Sequence, residues 1–384
     1  MTPPSVAKLS SVTKLLRDLV ALPSVNPAFW PDDPERTGEE RVATYLADLA
    51  RKQGLEVSRQ AVLPGRKNLL VRLKPSGKVG RRIILSPHLD VVPAEDKQFT
   101  PLVKNGRLHG RGSCDTKGSV AAFFHALLEL SKDKNRPNET EILFVGLVDE
   151  EHCQSGSRVF GERGPRGDLA IAGEPTQLQV VTAHKGNLWL CLETRGKAAH
   201  GATPHLGKSA IHAMARITNL LLTEYVEQLK RRDHPLLGHP SINVGIIKGG
   251  SQTNVVPERC SIEVDRRTIP GETEASVLAE IHRLLKKHRL PSTTIVESRG
   301  VPCLSLETDP NLPVIQQFLK AAKRRKPHGV DYFTDASPIA MGGTPAIVFG
   351  PGDIAQAHSA DEWVDLKQLD QAVDVTLRFL REQP

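Results

Sequence analysis

The stretch ILFVGLVDEEH, residues 142–152, joins an unbroken apolar run to three acids. Ile142 to Val148 read as a strand buried on both faces, of the kind a helix-covered parallel sheet contains. Carboxylates at the end of such a strand are costly unless they are paired or bind metal. Glu150 and Glu151 therefore mark a place where the chain carries groups that folding alone does not require. Asp149 is assigned no chemistry and is expected to be ordinary polarity of an exposed loop.

Outward from this strand, the pattern alternates. Residues 39–53 carry Val42, Tyr45, Leu46 and Leu49 at helical spacing, and Gly54 can end the helix. NLLVRL, 68–73, and IILS, 83–86, read as strands. An apolar helix over about 117–131 follows the turn GRGSCDTKG. Strands alternating with helices predict an α/β fold, a mixed central sheet flanked by helices.

Near residue 184 the texture changes. NLWLCLETR, 187–195, alternates like a half-exposed strand. A helix over about 208–229, strands at 241–247 and 258–267, a helix at 274–289 and the strand TTIVES complete a strand-helix-strand-strand-helix-strand order. That is an inserted α+β ferredoxin-like domain. The α/β texture then returns, with PAIVFG as a core strand and a last helix near 366–381. The expected division is 1–182 and 304–384 for the large domain and 183–303 for the insertion. Hinges are expected near 181–185 and 300–305.

A chain of 384 residues fits two or three domains at roughly 150 residues each. No apolar run approaches the roughly 20 residues of a membrane span, and MTPPSVAKLSS has no apolar signal core. A cytoplasmic protein without a membrane partner is expected. Cys114, Cys153, Cys191, Cys260 and Cys303 are scattered and odd in number, which fits reduced thiols. Lys and Arg exceed Asp and Glu by 51 to 44, a formal charge of +7. The basic clusters are short, adjoin helical patterns and lack interleaved aromatics. They read as solvated faces, not as a nucleic-acid surface.

Five segments place metal-ligand residue types at loops. In SPHLD, His88 and Asp90 lie two apart, on one side of an extended segment. Alone, such a histidine is more readily a structural one. In GRGSCDTKG, Asp115 sits in a glycine-bounded turn, where a helix N-cap is the plainer reading. The phosphate-loop pattern GxxxxGK[ST] is absent. LVDEEH is the third segment. AIAGEPT places Glu174 after an apolar run, and AQAHSADEW places His358 beyond PAIVFG. Each alone is a polar loop; their repetition at strand ends is what matters, because sites in open α/β sheets gather there.

Together, SPHLDVVP, GRGSCDTKG, VDEEHCQSGS, AGEPT and AHSADEWV, in that order over residues 88–364, resemble the zinc-dependent amidohydrolases. That family comprises acetylornithine deacetylase, succinyl-diaminopimelate desuccinylase, aminoacylase and carboxypeptidase G. The resemblance implies two zinc ions, replaceable by cobalt. His88 and Glu174 would hold one, Glu151 and His358 the other, and Asp115 would bridge them. Asp90 would orient His88. Glu150 would be the general base that activates a water between the ions. The insertion would be a dimerisation and lid domain, making the protein a homodimer. GKAAHGATPH resembles the segment whose histidine reaches a partner's site, so His200 would stabilise the oxyanion; His205 does not match. QTNVVP and DRRTIPGE put Asn254 and Arg267 at substrate-contacting positions. A loop asparagine, a surface arginine and a backbone-capped histidine are the plainer alternatives.

The implied reaction is hydrolysis of the amide of an N-acyl amino acid or short peptide. AGEPT with DRRTIPGE most resembles the acetylornithine deacetylase branch. Desuccinylase comes next, then a dipeptidase or carboxypeptidase. A non-catalytic dimeric ligand-binding homologue is the alternative of another class; its signature would be loss of the base or of a ligand, and Glu150 and the five ligand residues are all present.

Overall fold

The computed structural model describes residues 9–134, 136–290, 294–297 and 301–384. The first eight residues, Thr293 and Ser298 of the TTIVES strand, and Gly300 at the edge of the second expected hinge lie outside the described residues. The chain divides into two compact units. One comprises Met1–Thr182, Thr308–His328 and Thr334–Pro384; the other comprises Ala183–Glu307 and Gly329–Phe333.

Strand Thr140–Gly146 lies inside the sheet of the first unit, buried along its whole length. The strand order is Glu56–Leu63, Arg66–Leu73, Thr140–Gly146, Arg81–Pro87, Leu169–Gly173 and Ala346–Phe349, beyond which Val181 pairs with Val348. The middle four pair in parallel, Arg81–Pro87 with both Thr140–Gly146 and Leu169–Gly173, and Leu169–Gly173 with Ala346–Phe349. The outer two on the first side are antiparallel. The sheet is therefore mixed, and its parallel part puts four carboxyl ends along one edge.

Both faces are covered, which is why these strands read as continuous apolar runs. On one face Ile83, Leu85, Ile142, Phe144, Leu169, Ile171, Ile347 and Phe349 share a core with helices Ser11–Val20, Glu40–Lys52, Lys117–Lys132, Pro313–Ala321 and Leu366–Arg381. Helices Ser155–Arg163 and Ala336–Met341 pack on each other, and Ala336–Met341 also packs on strands Leu169–Gly173 and Ala346–Phe349. The closing helix starts at Asp365, whose carboxylate accepts the N–H groups of Lys367 and Gln368. Such a cap is worth about 1 kcal/mol.

In the second unit the antiparallel order is Ser241–Gly249, Arg259–Thr268, Gly186–Arg195 and Thr294–Glu297. In chain order this is second, third, first, fourth, the ferredoxin-like arrangement. Alternate residues Leu188, Leu190 and Leu192, with Ile262 and Val264, bury one sheet face against Met214 and Ile217 of helix Ala210–Leu220 and Val277 and Ile281 of helix Glu274–Lys287. The helix expected over 208–229 widens into a π turn at Leu221–Tyr225. Thr273 and Ser276 cap Glu274–Lys287 reciprocally. Three residues of the basic stretches are ion-paired: Lys230 with Glu227, Arg232 with Glu280, and Lys287 with Glu224. No helix of the described residues is long and apolar enough to cross a membrane.

Candidate active site

Four loops leave the carboxyl ends of the parallel strands. His88 follows Arg81–Pro87, the acids 149–151 follow Thr140–Gly146, Glu174 follows Leu169–Gly173, and His358 lies beyond Ala346–Phe349. Asp115 comes from the turn before helix Lys117–Lys132. It is not that helix's N-cap, a position held by Thr116. Its carboxylate instead faces two histidines. Asp115 Oδ1 is 3.1 Å from His88 Nε2, and Oδ2 is 3.4 Å from His358 Nε2. His358 Nε2 is 3.1 Å from Glu151 Oε2, and His88 Nε2 is 3.7 Å from Glu174 Oε1. Donor atoms of His88, Asp115 and Glu151 lie within 4.8 Å of one another.

His88 Nδ1 lies 3.0 Å from the backbone oxygen of Asp90 and 3.6 Å from its carboxylate. That carboxylate does further work: it accepts the backbone N–H of Glu150 and of Glu151, each at 3.1 Å, and the Asn26 amide at 2.7 Å. Asp90 thus links the orientation of His88 to the position of the two glutamates.

Burial and like charge shape the acids. Burial, aided by the Asp115 charge, pushes Glu151 up to about 7. Burial also raises Glu150 and Glu174 well above the usual carboxylate range; Glu174 and Asp335 crowd Glu150, and Asp115 and Asp335 crowd Glu174. Hydrogen bonds to Asp115 and Glu151 push His358 up to about 10. Burial would raise Asp115, but its hydrogen bonds to His358 and His88 prevail and hold it low.

A divalent cation fits these residues. Glu151 Oε1 is buried without a hydrogen-bond partner. The donors are imidazole nitrogens and carboxylate oxygens, the set zinc accepts. Carboxylates at Asp115 and Glu174, both buried, and at Glu151, whose side chain is largely enclosed, supply the opposing charge that desolvation otherwise penalises.

Several supporting residues were not legible in advance. Glu362, 1% exposed, accepts the backbone N–H groups of Gly112, Cys114 and Asp115 and pairs with Arg111. Its only sequence signal was adjacency to His358 in AHSADEW. Asn26 bridges Asp90 and Asp149 from far upstream. Asp149 corrects the exposed-loop expectation. It is 1% exposed, adopts a left-handed backbone, and accepts from Asn26, Arg66 and Ser155. Arg66 also pairs with buried Glu39. These partners are what keep a charged side chain at a buried strand end.

His200 and Asn254 belong to the second unit and are both exposed. Their loops are joined: Gly201 N–H donates to the Asn254 carbonyl at 2.7 Å, and His200 bridges Val255. His200 Nδ1 accepts the Ala202 N–H. Arg267, at the end of strand Arg259–Thr268, is held by Asp265 at 3.0 Å, whereas neighbouring Arg266 is buried against Tyr225 and Glu272.

This architecture recurs in known proteins. Residues 84–382 match peptidase family M20/M25/M40, and the chain belongs to that family. It is therefore a hydrolase acting on amide bonds. Among solved structures, an aminopeptidase PepT from Bacillus cereus superposes with a TM-score of 0.77 at 20% identity, over 97% of each chain. The metallo-carboxypeptidase Sso-CP2 from Sulfolobus solfataricus gives 0.76 at 18%, over 97% of this chain and 99% of that one. The YXEP protein of Bacillus subtilis, a dinuclear metal-binding peptidase, gives 0.70 at 13%, over 96% of each.

Proposed function

We propose that this chain hydrolyses the amide bond of an N-acyl amino acid, with N-acetylornithine the first choice of substrate and two zinc ions as cofactor. The observation that carries this reading is Asp115, whose two carboxylate oxygens separately face His88 and His358 at 3.1 and 3.4 Å. In it, His88 and Glu174 would hold one ion and Glu151 and His358 the other, with Asp115 shared between them. Bound there, the cations supply Lewis acidity toward the amide carbonyl and toward water.

The remaining chemistry belongs to the chain. Glu150 takes the proton of the attacking water and returns it to the leaving nitrogen. Burial favours this role, because it raises the proton affinity of the carboxylate. Asp90 keeps Glu150 and Glu151 in place through their backbone N–H groups. His200 donates to the oxyanion, in a partner's site of a homodimer formed through the inserted domain of 183–303. Asn254 contacts the substrate. Arg267 grips the substrate carboxylate bidentately. The protein acts in the cytoplasm, on small molecules and not on nucleic acid.

The choice of N-acetylornithine rests on the likeness of AGEPT and DRRTIPGE to the deacetylase branch. A desuccinylase is the second reading. A dipeptidase or carboxypeptidase is the third, and the peptidases of similar fold favour it. The deciding assay supplies zinc with N-acetylornithine, N-succinyl-diaminopimelate, N-acetylmethionine and a set of dipeptides. The highest kcat/KM is expected on N-acetylornithine. Preference for the succinyl substrate or a dipeptide would replace the deacetylase reading, and no turnover on any would remove all three.

A further inference from the structure

The turn that carries Glu150 and Glu151 presents a second donor cluster, outside the site described above. Asp149, His152 and Cys153 each offer one donor atom, and these atoms lie within 4.8 Å of one another. One local turn makes the cluster. The Asp149 carbonyl accepts the N–H of Cys153 at 3.2 Å and of Gln154 at 2.7 Å, and Asp149 and Gln154 both adopt left-handed backbone. That closure folds residues 149, 152 and 153 over one another.

The three donors suit a particular class of ion. A carboxylate, an imidazole and a thiolate form the mixed oxygen, nitrogen and sulfur set that borderline-soft divalent ions accept and that calcium and magnesium do not. The Asp149 oxygens offer about four acceptor directions. Asn26 and Arg66 donate to Oδ1 and Ser155 to Oδ2, leaving one direction on Oδ2, while His152 Nδ1 lies 4.0 Å from Oδ1. His152 stands about half exposed, its ring edge-on to Phe29 with centroids 6.3 Å apart, and Cys153 is partly exposed, so an ion can reach both from solvent. Local charge favours a cation: Asp149 and Glu39 both pair with one guanidinium, that of Arg66.

We propose that Asp149, His152 and Cys153 form an additional binding site for a zinc-like divalent cation, separate from the pair assigned to His88, Asp115, Glu151, Glu174 and His358. Three protein donors leave the fourth tetrahedral position to water. The thiol proton passes to solvent as the sulfur–metal bond forms. Occupancy acts on the active site through Asn26, which Asp149 shares with Asp90, and Asp90 in turn holds the Glu150 and Glu151 backbone.

Cobalt(II) titration of the full chain tests the site, because the ligands assigned to the dinuclear pair include no sulfur. The wild type is expected to develop a near-ultraviolet thiolate-to-cobalt band. It is also expected to bind one more equivalent than Cys153→Ser or His152→Ala at equal free cobalt. Cys153→Ser should lack the band while keeping the other four cysteines. Both side chains are partly exposed, and matching circular dichroism of the variants checks that they fold. Absence of the band in the wild type, its survival in Cys153→Ser, or equal cobalt content in all three proteins overturns the proposal. If the dinuclear reading failed instead, all three proteins would lose those equivalents alike, and the difference between them would still report this site.

Discussion

Glu362 Oε1 accepts the backbone N–H of Asp115 at 3.0 Å, across 247 positions of sequence. The same carboxylate accepts from Gly112 and Cys114 and pairs with Arg111 at 2.6 Å, so one buried acid fixes the whole turn that presents Asp115. Glu362→Gln keeps the shape and removes the charge. Metal affinity is expected to fall by about 10–100-fold, as for other residues that orient ligands. Competition against a chromophoric chelator measures it, and an unchanged affinity would leave this anchor without consequence for the site.

Removal of metal should abolish hydrolysis. Thorough dialysis against a chelator is expected to bring activity to background, and zinc or cobalt to restore it. Activity that survives in metal-free protein, checked by elemental analysis, would rule out the assigned centre.

Glu150→Ala separates the proton carrier from the ligands. The variant should keep its metal content while kcat falls by about 10²–10⁴-fold, the usual range for a positioned acid–base group. Near-normal turnover would remove Glu150 from that role.

Subunit mixing addresses His200. His200→Ala and Glu150→Ala are each expected to be inactive alone. Mixed dimers should regain activity, because one of their two composite sites carries both residues. Confirmed subunit exchange without recovery would mean that His200 does not act across a dimer.

Acid stability should depend on His184. This fully buried histidine donates from Nδ1 to the Lys185 carbonyl, and its Nε2 has no partner. Burial lowers its folded-state value from 6.5 to about 4. Between those values the unfolded chain binds a proton that the folded chain excludes, so stability falls as pH drops through that window, by about 3 kcal/mol in all. His184→Gln should flatten this loss, read as the change in urea midpoint between neutral pH and about pH 4. An equal acid loss in the variant would assign the effect to other groups.

The sequence by itself determined the elements and the candidate residues. The apolar run 142–148 stated a strand buried on both faces, the spacing of Val277, Ile281, Leu284 and Leu285 stated a one-sided helix, and five polar punctuations at loops stated where ligand types lie. These signals are local, written in the period of an element and the chemistry of its end. Only the tertiary structure decided that Asp115 faces two histidines and does not cap its helix, that Asp149 is a buried partner of Asn26 and Arg66, and that Glu362 grips a turn 247 residues away. The physical reason is that a buried carboxylate is tolerated only with its particular partners. Sheet order and crossover connections bring those partners together, and no local sequence pattern encodes them.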